Sequence, residues 1–130
     1  MIFKLDKGAD IVEAVTAFCK SKKIRAGSVF FIGAVKSATL SCYDQRRKKY
    51  RKITVNMPME IVSGIGNISI KDNAPFVHAH VALSGEKGEM TGGHLCSPTV
   101  VFACEAVIIK SGAKLVRRYD AETGLFLWQK

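Results

Sequence analysis

No apolar run in this 130-residue chain approaches the ~20 residues that a helix needs to cross a bilayer. The opening segment, Met1-Ile2-Phe3-Lys4-Leu5-Asp6-Lys7, also lacks the long apolar stretch of a secretory signal. No membrane association is expected, and a cytoplasmic location follows. The four cysteines, Cys19, Cys42, Cys96 and Cys104, show no Cys-x-x-Cys spacing and fall inside apolar segments. Buried, reduced thiols are therefore expected in place of disulfides or ligands. No zinc-finger, helix-turn-helix or homeodomain pattern is present, nor any nucleophile motif or substrate-shaped signature. What remains is enough for one buried core, with 48% hydrophobic residues, and a single compact domain over residues 1–130 is expected.

Histidine is scarce, and all of it is in one place. His78 and His80, in Phe76-Val77-His78-Ala79-His80, and His94, in Thr91-Gly92-Gly93-His94-Leu95, are the 3 histidines of the chain. If Phe76 to Leu83 is a β-strand, its period of two sends Val77, Ala79, Val81 and Leu83 to one face and both imidazoles to the other. A glycine-containing turn over Ser84 to Glu89 then allows a second strand to fold back and bring His94 beside the pair. Three neutral imidazoles suit a zinc ion, with a fourth position open for water or a small molecule. Gly92 and Gly93 remove Cβ atoms where the backbone must approach another strand closely. The plainer alternative is two solvated imidazoles on a half-exposed strand. Cys96, two residues past His94, has the parity to join a metal or simply to pack.

The net charge of +9 is concentrated in Arg46, Arg47, Lys48, Lys49, Arg51 and Lys52, without which it falls to +3. Such an arm, with Tyr50 available to stack on a base, suits salt-dependent binding of nucleic acid. It equally suits a solvated β-ribbon.

Along the chain, Phe3 to Leu5 reads as a first strand. A helix starts at Asp10, which caps it with Glu13 three residues on, and its apolar face is Ile11, Val12, Val15, Phe18 and Cys19. Strands are expected over Ser28 to Ala34, Ala38 to Tyr43, Ile53 to Asn56, Met59 to Ile65, Asn67 to Ile70 and Pro98 to Ile109, with bulges or turns at Gly64 and Gly66. Leu115 to Tyr119 reads as an edge strand, and Thr123 to Trp128 as a strand or docked tail. One or two helices among seven or more strands give an α+β fold on a mainly antiparallel, curled sheet.

These motifs in order, Phe3-Lys4-Leu5-Asp6-Lys7-Gly8-Ala9-Asp10-Ile11, Ile32-Gly33-Ala34-Val35, Met59 to Ser69, Phe76 to His80 and Gly92-Gly93-His94-Leu95, resemble the plants and prokaryotes conserved (PPC) domain over nearly the whole chain. The resemblance implies a compact, mainly antiparallel domain that associates as a homotrimer, with zinc held by His78, His80 and His94. In plants the domain follows AT-hook DNA-binding motifs. This chain has no Arg-Gly-Arg-Pro hook, so DNA binding would fall to the basic arm at 46–52. Val62 stands where the family more often has leucine, which bears only on local strand packing. Glu105, an acidic residue in an apolar strand, reads either as a partner to a histidine or metal-bound water, or as part of a trimer interface or solvated face.

Three functions follow as expectations. The first is a zinc-binding trimeric module taking a small-molecule ligand or stabilising its assembly. The second is a DNA-binding protein using Arg46 to Lys52, and the third a zinc-dependent hydrolase with Glu105, Glu86 or Glu89 as base.

Overall fold

A computed structural model describes residues 1–129. The elements are β1 (Ile2–Leu5), α1 (Ile11–Ser21), β2 (Gly27–Asp44), β3 (Lys49–Val55), β4 (Met59–Lys71), β5 (Ala74–Ser84), β6 (Met90–Lys110), β7 (Arg117–Asp120) and β8 (Leu125–Trp128). Six strands form a sheet in the order β1-β6-β5-β4-β2-β3, and a further β6–β2 pairing curls it closed on itself. All its named pairings are antiparallel. The expected α+β architecture is present, with one helix.

The helix begins where its cap dictates. The Asp10 carboxylate accepts from the Glu13 backbone N–H at 2.8 Å, satisfying one of the donors a helix start leaves free. The same carboxylate accepts from Ser97 Oγ and from the Thr99 N–H, tying α1 to β6. Ile11, Val15 and Cys19 are buried, and Phe18 stacks on Phe3 with ring centroids 3.8 Å apart. The core continues through Val29, Leu40, Ile68, Leu83, Val101 and Ile108.

The strands are longer than the sequence suggests. Two expected strands merge into β2 and two into β4, while the strand carrying His94 runs unbroken into the one expected from Pro98, giving the 21 residues of β6. Irregularities absorb the curl without ending the strands, as at Phe31/Gly33 in β2. Gly64 and Gly66 are neither bulges nor turns, since both hold regular register with Val81 and Ala79; the irregularity on β4 lies between Ile61 and Ser63. A Cβ at Gly64 would collide with the Phe31 ring, and one at Gly66 with the His78 carbonyl, so these glycines permit close approach. Leu115 to Tyr119 does not edge the main sheet. β7 pairs with β8 in a separate two-stranded sheet, joined to the barrel by a bridge between Val116 and Ile70.

Candidate metal centre

On β5 the alternation is as the period of two requires. Val77, Ala79, Val81 and Leu83 are buried, whereas His78 is half-buried and His80 exposed on the outer face. The hairpin between β5 and β6 sets His94 directly opposite His80 in the antiparallel register. Ring centroids lie 5.2 Å apart for His78 and His80, 5.0 Å for His78 and His94, and 5.4 Å for His80 and His94. One ligand atom from each lies within 4.8 Å of the others, so the three imidazoles could together hold an ion. Gly93 (φ +154°) lies where a Cβ would stand 2.8 Å from the Ser41 carbonyl, and its absence lets β6 close on β2 beside His94.

The electrostatics keep His78 and His94 neutral. Burial, reinforced by His94, Arg117 and His80, pushes His78 down to about 4. Burial, with His80 and Arg117, lowers His94 as well. Neutral imidazole is the form that ligates a metal. His94 Nδ1 is buried without a hydrogen-bond partner, an arrangement that is costly unless something else occupies the lone pair or proton.

Around the histidines stand Tyr50, read from the sequence only as part of the basic arm, and residues the sequence did not single out. Arg117 on β7 donates from Nε to Ser69 Oγ, from Nη1 to the Phe126 carbonyl and from Nη2 to Asn67 Oδ1, each at 2.8 Å. Its Nη2 also lies 3.3 Å from His78 Nδ1. Arginine only donates, so this contact makes Nδ1 the acceptor and competes with an ion for His78. Asn67 faces His78 across β4 and β5, and the Tyr50 ring lies 5.5 Å from that of His94. The β7–β8 hairpin covers the site, leaving a cleft of about 350 Å³ lined by Tyr50, His78, His94, Arg117 and β8 residues. The period-two polar face of Asn67, Ser69 and Lys71 on β4 was a usable signal for this wall. Nothing distinguished Arg117 from the adjacent Arg118.

Other sequence expectations fall elsewhere. Glu105 is exposed and pairs in register with Lys4 and Ile32, eleven residues along β6 from His94, so it stands apart from the histidines of its own chain. Glu86 lines a different cleft, and the Glu89 carboxylate accepts from the Lys87 N–H in its own turn. Among the described residues no carboxylate lines the histidine cleft, which leaves the hydrolase expectation without its base. Cys96 is outside the ligand group, its Sγ 3.3 Å from Ser41 Oγ. Cys19 and Cys104 are buried as expected, but Cys42 is exposed, because its position on β2 points to the outer face. The basic residues Arg46, Arg47, Lys48, Lys49, Arg51 and Lys52 are all exposed on the β2–β3 hairpin, whose turn is held by the Asp44 carboxylate accepting from the Arg46 and Arg47 N–H groups.

The chain matches the family model described as the Plants and Prokaryotes Conserved (PCC) domain over residues 1–112. No curated protein matches it. Among solved structures it is similar to the metal-containing protein of Archaeoglobus fulgidus, at 45% identity and a TM-score of 0.95, over 100% of this chain and 92% of that one. It is also similar to a plant- and prokaryote-conserved (PPC) protein of Pyrococcus horikoshii, at 34% identity and a TM-score of 0.94, over 100% and 90%. A third, from Bacteroides thetaiotaomicron and provisionally called DNA-binding, shares 31% identity with a TM-score of 0.92 over 98% and 90%.

Proposed function

The chain belongs to the Plants and Prokaryotes Conserved domain family, and from that premise we propose that it is a zinc-binding module, held by His78, His80 and His94, that works as a homotrimer. One observation carries the reading: three imidazoles with ligand atoms within 4.8 Å of one another, one of them presenting a buried nitrogen with no partner. A tetrahedral zinc ion with bonds of about 2.0–2.1 Å wants its ligand atoms about 3.3–3.4 Å apart, a difference that imidazole rotation closes. Three imidazoles without thiolate or carboxylate favour a borderline ion such as zinc over calcium or magnesium. The Archaeoglobus relative is named a metal-containing protein, which supports a resident ion without identifying it. Bound zinc would supply a Lewis-acidic centre with one position free for a small ligand.

Self-association is supported by an exposed apolar row. Ile2, Val107, Phe30 and Ile65 are neighbours across β1, β6, β2 and β4, and all are exposed. Contiguous apolar surface of this kind marks an interaction face. His80 is the next residue in the same row, opposite Ile65, so the metal would sit beside a subunit boundary.

Elemental analysis of tag-free protein tests the reading. Near-stoichiometric zinc is expected, lost in His78→Ala, His80→Ala and His94→Ala; wild-type protein that takes up no zinc when supplied with it would sink the idea.

A second reading draws on the β2–β3 hairpin. Six exposed cations within residues 46–52, repeated by three subunits, would bind DNA by phosphate neutralisation and avidity. Retention of a duplex at low ionic strength, lost steeply with added salt and in a variant with Arg46, Arg47 and Lys49 changed to Gln, is the expected result. Binding insensitive to salt excludes it.

A further inference from the structure

We infer that the cleft beside the histidines binds a small amphiphilic anion, a molecule with a carboxylate or phosphate head and an apolar or aromatic body. Arg117 is a cation only 9% exposed, and all four of its acceptors are neutral: Ser69 Oγ, the Phe126 carbonyl, Asn67 Oδ1 and His78 Nδ1. A guanidinium carries five N–H groups, so Arg117 keeps one donor, and among the described residues its charge meets only neutral acceptors and the aromatic faces of Phe76 and Trp128, 5.3 and 5.6 Å from its Cζ. Proteins seldom bury a charge without a counter-charge, because desolvation is then unrepaid. Lys71 adds a second cation to the same cleft, its Nζ 3.8 Å from the centre of the Phe126 ring and 5.4 Å from that of Phe76. With two cations and no carboxylate among the described residues that line the cleft, the missing partner is an anion.

The walls specify the rest of the ligand. Phe76, Leu125, Phe126 and Leu127 present apolar and aromatic surface. A volume of about 350 Å³ is at the small end of the range for ligand sites, enough for one ring or a short chain attached to the head. Leu125 to Leu127 and Arg117 lie beyond residue 112, where the family match ends, whereas Lys71 and Phe76 lie within it, so the cleft is built jointly by the conserved domain and the C-terminal hairpin. The inference rests on the histidine cleft being the functional site, but Arg117 and Lys71 would hold the anion with or without zinc.

Nitrogen-15-labelled protein, zinc-loaded in one sample and chelator-treated in another, is titrated with benzoate, phenyl phosphate and the neutral benzamide while amide shifts are followed. At least one anion is expected to move the Lys71, Arg117 and Phe126 resonances and to bind at least about tenfold more tightly than benzamide. Which of the two does so identifies the head group. Arg117→Met and Lys71→Met should each weaken that binding several-fold, Lys71→Met with zinc content unchanged and Arg117→Met without lowering it, because Arg117 competes with the ion for His78; should Arg117→Met fail to fold, Lys71→Met decides. Benzamide binding as well as benzoate, anions that leave the cleft unmoved, or full affinity in Lys71→Met would each overturn the inference. Anion binding that persists after chelation, in protein that never retains zinc, would separate the failure of the zinc reading from this one. Full zinc occupancy with no anion response fails this inference alone.

Discussion

His78 shows how one residue's surroundings become a property of the whole protein. Its imidazole is pushed down to about 4, chiefly by burial, whereas in the unfolded chain it titrates near ~6.5. Between those values the unfolded state binds more protons, so stability is present in full above about 6.5 and is lost as pH falls toward about 4. His94, lowered for similar reasons, adds to the same slope. Chelator-treated protein is expected to unfold at lower denaturant at pH 5 than at pH 7, with a smaller difference in His78→Gln. An unchanged midpoint across that window would mean that the site stays hydrated. The parity of the two imidazoles on β5 was legible, because strand alternation is local. Arg117 was not, because its role depends on Asn67 and Ser69 some fifty residues earlier in the chain.

At the scale of elements, one carboxylate both caps α1 and ties its start to β6, beside the apolar face that packs on the core. Asp10 caps the helix and also accepts from Ser97 and Thr99 of β6, so one side chain both starts the helix and fixes its position on the sheet. Asp10→Ala is expected to cost about 2 kcal/mol, the loss of a cap plus two further hydrogen bonds. Asp10→Asn, which keeps an acceptor, should lose less. Denaturant titration checks both, and equal losses would show that charge rather than geometry matters. The cap and the helical face were readable three and four residues at a time. Strand ends were not. The sequence around Gly64 and Gly66 carries breaking signals, yet β4 runs through them, because those positions face the Phe31 ring and the His78 carbonyl and need space more than flexibility.

For the whole molecule, the apolar row from Ile2 to Ile65 asks for a partner. Ile32, 57% exposed beside that row, lies opposite Glu105. In an isolated subunit Ile32→Lys would gain an opposite charge as a cross-strand neighbour, but in a packed interface the ammonium would be desolvated. The variant is therefore expected to stay folded and to elute as a monomer in light-scattering chromatography where the native chain elutes as a trimer. A native chain that elutes as a monomer at micromolar concentration would remove the trimer from the reading.

The sequence by itself determined the helix, the α+β class, the inward and outward faces of β5 and the grouping of every histidine into one hairpin. Each depends on residues close together in the chain, where backbone periodicity and capping chemistry act. Only the tertiary structure decided that Glu105 stands apart from the histidines of its own chain, that the strands continue through their glycines and that a buried arginine closes the cleft. Those outcomes depend on which distant segments the curled sheet brings into register, and on the folding of residues 117–128 back across β4 and β5. Burial and charge compensation there are properties of contacts between segments, and no single segment encodes them.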